Sequence, residues 1–136
     1  MIKFLLDTSV YSQRLRPHPL AGVVQRWQRL GDTKLAISAI CEAELLFGLE
    51  KRQSERLWRE YDQYLKDRLL CLPVDSMVAK VYGKLRAGLE RSGTPRADFD
   101  LVIASTALAH NLKLATLNSQ HFQDIPGLVV EDWSLA

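Results

Sequence analysis

Short unbroken apolar runs alternate along the chain with longer stretches whose apolar residues recur every three or four positions. The first run, Ile2 to Leu6, stops at Asp7, and others lie over 34–38, 70–74, 113–117 and 128–131. Runs of about 4–8 apolar residues bounded by turn formers predict buried strands. A parallel strand covered on both faces need not alternate. Val10 to Leu15 predict a short helical turn, broken by Pro17 and Pro19 because proline lacks a donor and restricts the residue before it. Leu20, Val23, Val24, Trp27 and Leu30 then predict a helix closed by Gly31.

Ser38 is placed to cap a helix over 39–51, with Cys41 where a full capping box would have an acid. Ile40, Ala43, Leu46 and Phe47 read as its apolar stripe, with Glu44 at the edge and Glu42 turned to solvent. Gly48 predicts close packing or a kink. Over 54–69, Leu57, Trp58, Tyr61, Tyr64, Leu65 and Leu69 give the second arm of a helical hairpin, whose aromatics serve either partner contact or packing on the domain.

Asp75 caps a further helix with Val78, Val81, Tyr82, Leu85 and Leu89 on one face, ending near Gly93. The loop Thr94 to Ala97 leads into a helix rich in small residues: Ala104, Ser105, Thr106, Ala107 and Ala109. Small side chains let a helix lie close to a sheet, so this one should be central and buried. Asn111 suits a left-handed C-cap, and Trp133 should pack the chain end down. Strands alternating with helices imply one three-layer α/β/α domain over 1–136, with a mostly parallel sheet of about four to five strands.

The composition, 47% hydrophobic and 25% charged, is that of a globular protein able to bury a real core. No apolar run approaches the ~20 residues of a membrane span. No basic leader or small-residue cleavage site marks a signal peptide, so a cytoplasmic location is expected. Cys41 and Cys71 lack CxxC spacing and read as buried reduced thiols rather than zinc ligands. The net charge of +2 does not announce nucleic-acid binding. Arg14, Arg16, Arg26, Arg29 and Lys34 crowd one segment, and Lys80, Lys84, Arg86, Arg91 and Arg96 another. These are either solvated helix faces or a phosphate-binding rim.

Asp7 should stand at the carboxyl end of a central strand, where open α/β sheets place their ligand sites. It is either an N-cap, with Thr8 and Ser9 beside it, or the first ligand of a cation. Asp98 and Asp100 open the buried helix, where an acid costs desolvation unless it caps, pairs or binds a cation. Asp98 suits the cap, which leaves Asp100 unexplained. Asp7, Glu44 and Asp100 thus share a destination, and Asn118 at the end of the fourth strand can join them as a neutral oxygen ligand. Gathered carboxylates repel one another. A hard cation such as Mg²⁺ or Mn²⁺ offsets that repulsion and can activate water for attack on a phosphodiester. Thr8 or Ser9 could hold a carboxylate in place.

Leu-Leu-Asp-Thr-Ser-Val at the start, Ile-Ser-Ala-Ile-Cys-Glu-Ala-Glu-Leu-Leu-Phe-Gly in the middle and Asp-Phe-Asp-Leu-Val-Ile-Ala-Ser-Thr-Ala-Leu-Ala-His resemble the three acidic blocks of PIN domains. The ending, Leu-Ala-Thr-Leu-Asn-Ser-Gln-His-Phe with Gly-Leu and Glu-Asp-Trp, resembles the VapC toxin ribonucleases of bacterial toxin–antitoxin pairs. The resemblance runs through nearly the whole chain and is weakest between Lys51 and Leu69. It implies that Asp7, Glu44 and Asp100 are catalytic metal ligands. Asp98 falls on a variable position, as cap or accessory ligand. Two positions depart from the pattern: Ser9 stands where these toxins often have asparagine, and Asn118 where many PIN domains have a fourth acid. The resemblance implies a Mg²⁺- or Mn²⁺-dependent endoribonuclease acting on a tRNA-like RNA, a homodimer, and inhibition by a small VapB-like antitoxin.

Other readings fare less well. Haloacid-dehalogenase-like phosphatases need a second acid two residues after the first, and Ser9 cannot serve. A Ser–His–Asp hydrolase lacks nucleophile-elbow glycines, and His18, His110 and His121 read as surface or terminal-turn residues. A PIN fold kept only for binding RNA or protein is the remaining alternative.

Overall fold

The computed structural model describes residues 1–135 of the 136-residue chain. Its strands are β1 (Phe4–Leu6), β2 (Leu35–Ser38), β3 (Leu70–Leu72), β4 (Lys113–Thr116) and β5 (Val130–Asp132). They form one sheet in the order β3-β2-β1-β4-β5, and every neighbouring pair is parallel. The expected strands are all present, somewhat shorter than their apolar runs, with β1 at the centre.

The helices are α1 (Thr8–Tyr11), α2 (Ala21–Leu30), α3 (Ala39–Arg52), α4 (Glu55–Tyr64), α5 (Ser76–Arg91) and α6 (Asp98–Ala109). A 3-10 turn over Ser12–Leu15 follows α1. Side-chain caps fix several starts: Ser38 accepts from Cys41 N at 3.1 Å, Ser54 from Leu57 N at 3.2 Å and Asp75 from Val78 N at 3.1 Å. Asn111 is left-handed at φ 55, and the next amide, Leu112 N, returns to Ala107 O at 2.9 Å to close α6.

Alternation along the strands divides the core between two layers. Phe4, Leu6, Leu35 and Ile37 face α2, α3 and α4 with Val23, Cys41, Leu45 and Tyr61. Leu5, Ala36 and Leu114 face α6 and Leu89 of α5. The small-residue helix is buried as expected, with Ile103, Ala104 and Ala107 fully enclosed. Trp133 is fully buried, edge-on to Phe4 at 5.5 Å, and so pins the chain end. Gly22 makes room for that end, because a Cβ there would come within 2.7 Å of the Trp133 carbonyl.

Several expectations are corrected. α3 buries Cys41, Leu45 and Leu49, whereas Ala43 is exposed and Phe47 is 67% exposed. A Cβ on Gly48 would meet nothing within 4 Å, so close packing does not explain that glycine. The arm after Ser54 is helical only to Tyr64, with turns to Arg68. Both cysteines are free, but Cys71 is only half-buried. Among the described residues no helix is long and apolar enough to cross a membrane.

Candidate active site

Asp7 ends the central strand, and its carboxylate is buried among three donors from two parts of the chain, the start of α1 and the end of β4. Oδ1 accepts from Thr8 N at 2.8 Å, the cap bond of α1. Oδ2 accepts from Ser9 Oγ at 3.0 Å and from Thr116 Oγ1 at 2.8 Å. Each hydroxyl in turn accepts a backbone amide: Leu117 N reaches Ser9 Oγ, and Asn118 N reaches Thr116 Oγ1, both at 3.0 Å. The cap and ligand readings of Asp7 are therefore compatible, since one carboxylate can cap α1 and still sit in the acidic group.

Ser38 ends β2, the strand beside β1, and turns directly into α3, which brings Glu44 toward Asp7. Thr8 Oγ1 donates to Glu44 Oε1 at 2.6 Å. Burial pushes the Glu44 carboxyl above its ordinary range; the Thr8 hydroxyl opposes the shift, and the charges of Asp7 and Asp100 add to it. Asp100 lies in the first turn of α6. Burial raises its carboxyl as well, the charge of Asp7 raises it further, and His121 opposes. Asp7 thus acts on both of the other acids, which makes the three an electrostatic unit.

The accessory positions divide. Thr8 and Ser9 hold Glu44 and Asp7 respectively. Asn118 sits at the entry of the 3-10 turn Ser119–Phe122, where its side chain makes no cap bond. The expected cap role of Asp98 is corrected: Ala97 occupies the cap position without a side-chain bond. Asp98 is instead 66% exposed with Oδ1 3.3 Å from Arg86 Nη1. Extended backbone at Ala97 already starts the helix, and Arg86 satisfies the acid.

Two residues near the acids are not marked in the sequence. Thr116 looks like one more strand residue, and only the parallel pairing of β1 with β4 places its hydroxyl on Asp7. His121, expected at the surface, is exposed, yet its Nδ1 lies 3.6 Å from Asp100 Oδ2. A histidine soon after the fourth strand is the one signal that could have pointed to it.

The donor set suits a hard cation. It is dominated by carboxylate oxygens, two of them raised by burial and by neighbouring negative charge. Among the described residues no three His, Cys, Asp or Glu side chains close into a ready-made cage.

Comparison with known proteins places the fold in a family. The PIN domain family model matches residues 4–128. A tRNA(fMet)-specific endonuclease VapC of Shigella flexneri is 34% identical over 98% of this chain and 100% of its own length. The crystal structure of VapBC2 from Rickettsia felis, bound to a DNA fragment from its promoter, contains a chain that superposes with a TM-score of 0.86. That chain is 34% identical, and the match covers 98% of this chain and 99% of that one. A VapBC-5 structure from Mycobacterium tuberculosis, from the VapBC family of toxin–antitoxin systems, gives a TM-score of 0.70 at 25% identity over 97% and 98% of the two chains. With an acid ending its central strand, the five-stranded parallel sheet and end-to-end similarity to VapC proteins, this chain belongs to the PIN domain family.

Proposed function

We propose that this protein is a metal-dependent endoribonuclease toxin that hydrolyses phosphodiester bonds in tRNA or another structured RNA. The observation that carries the reading is the placement of the acids: Asp7 ends the central strand, Thr8 beside it holds Glu44 of α3 at 2.6 Å, and Asp100 stands in the first turn of α6. Asp7, Glu44 and Asp100 would hold Mg²⁺, with Mn²⁺ able to substitute. The cation supplies two things when bound: a lowered pKa for water and charge neutralisation on the phosphate.

The chain's own side chains do the positioning. Thr8 fixes Glu44, while Ser9 and Thr116 fix Asp7, so the carboxylate oxygens keep their directions as substrate enters. Hydrolysis forms a bond from water oxygen to phosphorus and breaks one phosphorus–ester bond. It leaves a phosphate monoester on one fragment and a hydroxyl on the other. The tRNA(fMet) specificity of the Shigella relative supports a structured RNA substrate, and the VapBC complexes support a small inhibitory antitoxin. A homodimer is part of the same reading.

The test is incubation of purified protein, free of antitoxin, with total cellular RNA in Mg²⁺, in Mn²⁺ and in EDTA. Asp7→Asn controls for contaminating nuclease. Discrete fragments that require metal, carry no 2′,3′-cyclic phosphate and vanish in the variant are expected. Folded protein that cuts nothing under any metal would favour a binding module instead.

A further inference from the structure

A cleft of about 180 Å³ leads away from the acidic site between α1, α3 and α4. Thr8 and Glu44 form its inner end, Gly48 leaves its floor uncovered, and Arg16 and Arg52 stand on its walls. Both arginines reach solvent. Among the described residues neither makes an ion pair, a trait shared with Arg14, Arg29, Arg59, Arg91 and Arg96, so it is their place on this cleft and not their lack of a partner that sets them apart. The cleft thus carries two guanidinium groups on its walls and the Glu44 carboxylate at its inner end, next to Asp7.

That arrangement suits a polyanion. A phosphodiester strand approaching Asp7, Glu44 and Asp100 is repelled by them, and a cation at the scissile phosphate offsets only the local part of that repulsion. Guanidinium groups present planar, forked donors that match phosphate oxygens and stay charged at every working pH. Arg52 closes α3, where a cation also complements the helix dipole, but that role does not require it to line the cleft. We infer that Arg16 and Arg52 bind a backbone phosphate of the RNA strand next to the scissile one, which makes this cleft the path of the strand beside the cut. The inference rests on the endoribonuclease reading above and names the chain's own residues for holding the substrate.

The test uses the full chain and the RNA that the wild type cuts, comparing Arg16→Gln, Arg52→Gln and the double variant. Arg91→Gln, outside the cleft, is the control. Each cleft variant should raise KM by about tenfold, the size of one charge-assisted hydrogen bond, while kcat moves much less. The fall of log(kcat/KM) with log salt should become shallower by about 0.7 for each phosphate of a single strand that is no longer neutralised. Lysine at either position should recover part of the loss, and Mn²⁺ affinity of the RNA-free protein should match the wild type. Unchanged KM and salt slope would overturn the inference. If such variants instead lose binding to the cognate antitoxin, the cleft seats a protein segment and not RNA. A wild-type protein without metal-dependent cleavage would sink the endoribonuclease reading itself, so the wild-type arm tells the two failures apart.

Discussion

Thr8 Oγ1 donates to Glu44 Oε1 at 2.6 Å, which ties the end of β1 to the second turn of α3 across 36 positions of sequence. This one hydroxyl sets the direction of an acid whose burial would otherwise favour protonation. Thr8→Val keeps the shape and removes the donor. It should cost about 1 kcal/mol of stability, a typical net value for one hydrogen bond. It should also raise the Glu44 pKa further, so the lower limb of the cleavage pH profile moves to higher pH. An unchanged profile would separate Thr8 from the chemistry.

Thr116 plays the matching part for Asp7. Its hydroxyl is buried and donates to Oδ2 at 2.8 Å while accepting from Asn118 N. Thr116→Val therefore takes one of two donors from Asp7 Oδ2, leaving Ser9 Oγ, and removes the acceptor of the Asn118 amide. The expected loss is about 1–3 kcal/mol, read as a shift in urea midpoint without change in m-value. Thr116→Ser should recover most of it.

Stability of the metal-free protein should fall as pH rises from about 4, the ordinary carboxylate value, through the raised pKa values of Glu44 and Asp100. Between those limits the folded state holds protons that the unfolded chain has released, so unfolding free energy decreases with pH. Asp32 acts in the opposite sense and in a lower window. Burial raises its carboxyl, but the hydrogen bonds from Trp27 and Arg68 outweigh it, so its contribution is lost only as pH falls below the ordinary value. Melting curves in EDTA should show the downward slope, and saturating Mg²⁺ should flatten it. Asp100→Asn should raise the EDTA Tm at neutral pH by about 3 °C per kcal/mol of repulsion relieved. A variant that melts below wild type would show that the acids are not in conflict.

The layers and the acids are legible in sequence for the same reason: both are marked by local transitions, apolar run to acid, or loop to buried helix. What needs the structure depends on how distant segments meet. Spacing alone places the buried face of α3 only in part: Ile40 and Leu46 pack against the core from its edges, Ala43 and Phe47 are exposed, and Cys41, Leu45 and Leu49, at equally good helical spacing, are the buried ones. Only the position of the sheet decides between them. Phe47 stays out with Lys51 Nζ 6.0 Å from its ring. Thr116 becomes visible only through strand register, Gly22 only through the returning chain end, and His121 only through the turn that lays it beside Asp100. The weak resemblance between Lys51 and Leu69 falls on the C-terminal end of α3, α4 and the turns after it, where the aromatics Trp58 and Tyr61 pack edge to face.

The most direct test of the shared acidic centre is single-turnover cleavage of one defined RNA across a titration of free Mg²⁺, by wild type and by Asp100→Asn. The two proteins should show the same far-ultraviolet spectrum. The wild-type rate should rise from zero in EDTA to saturation. The variant, which keeps side-chain shape but loses the charge, should stay below about one hundredth of that rate, roughly 2.7 kcal/mol of barrier, at every Mg²⁺ concentration. Cleavage by wild type in EDTA, or a variant that reaches the wild-type rate, would contradict a metal centre built on these three acids.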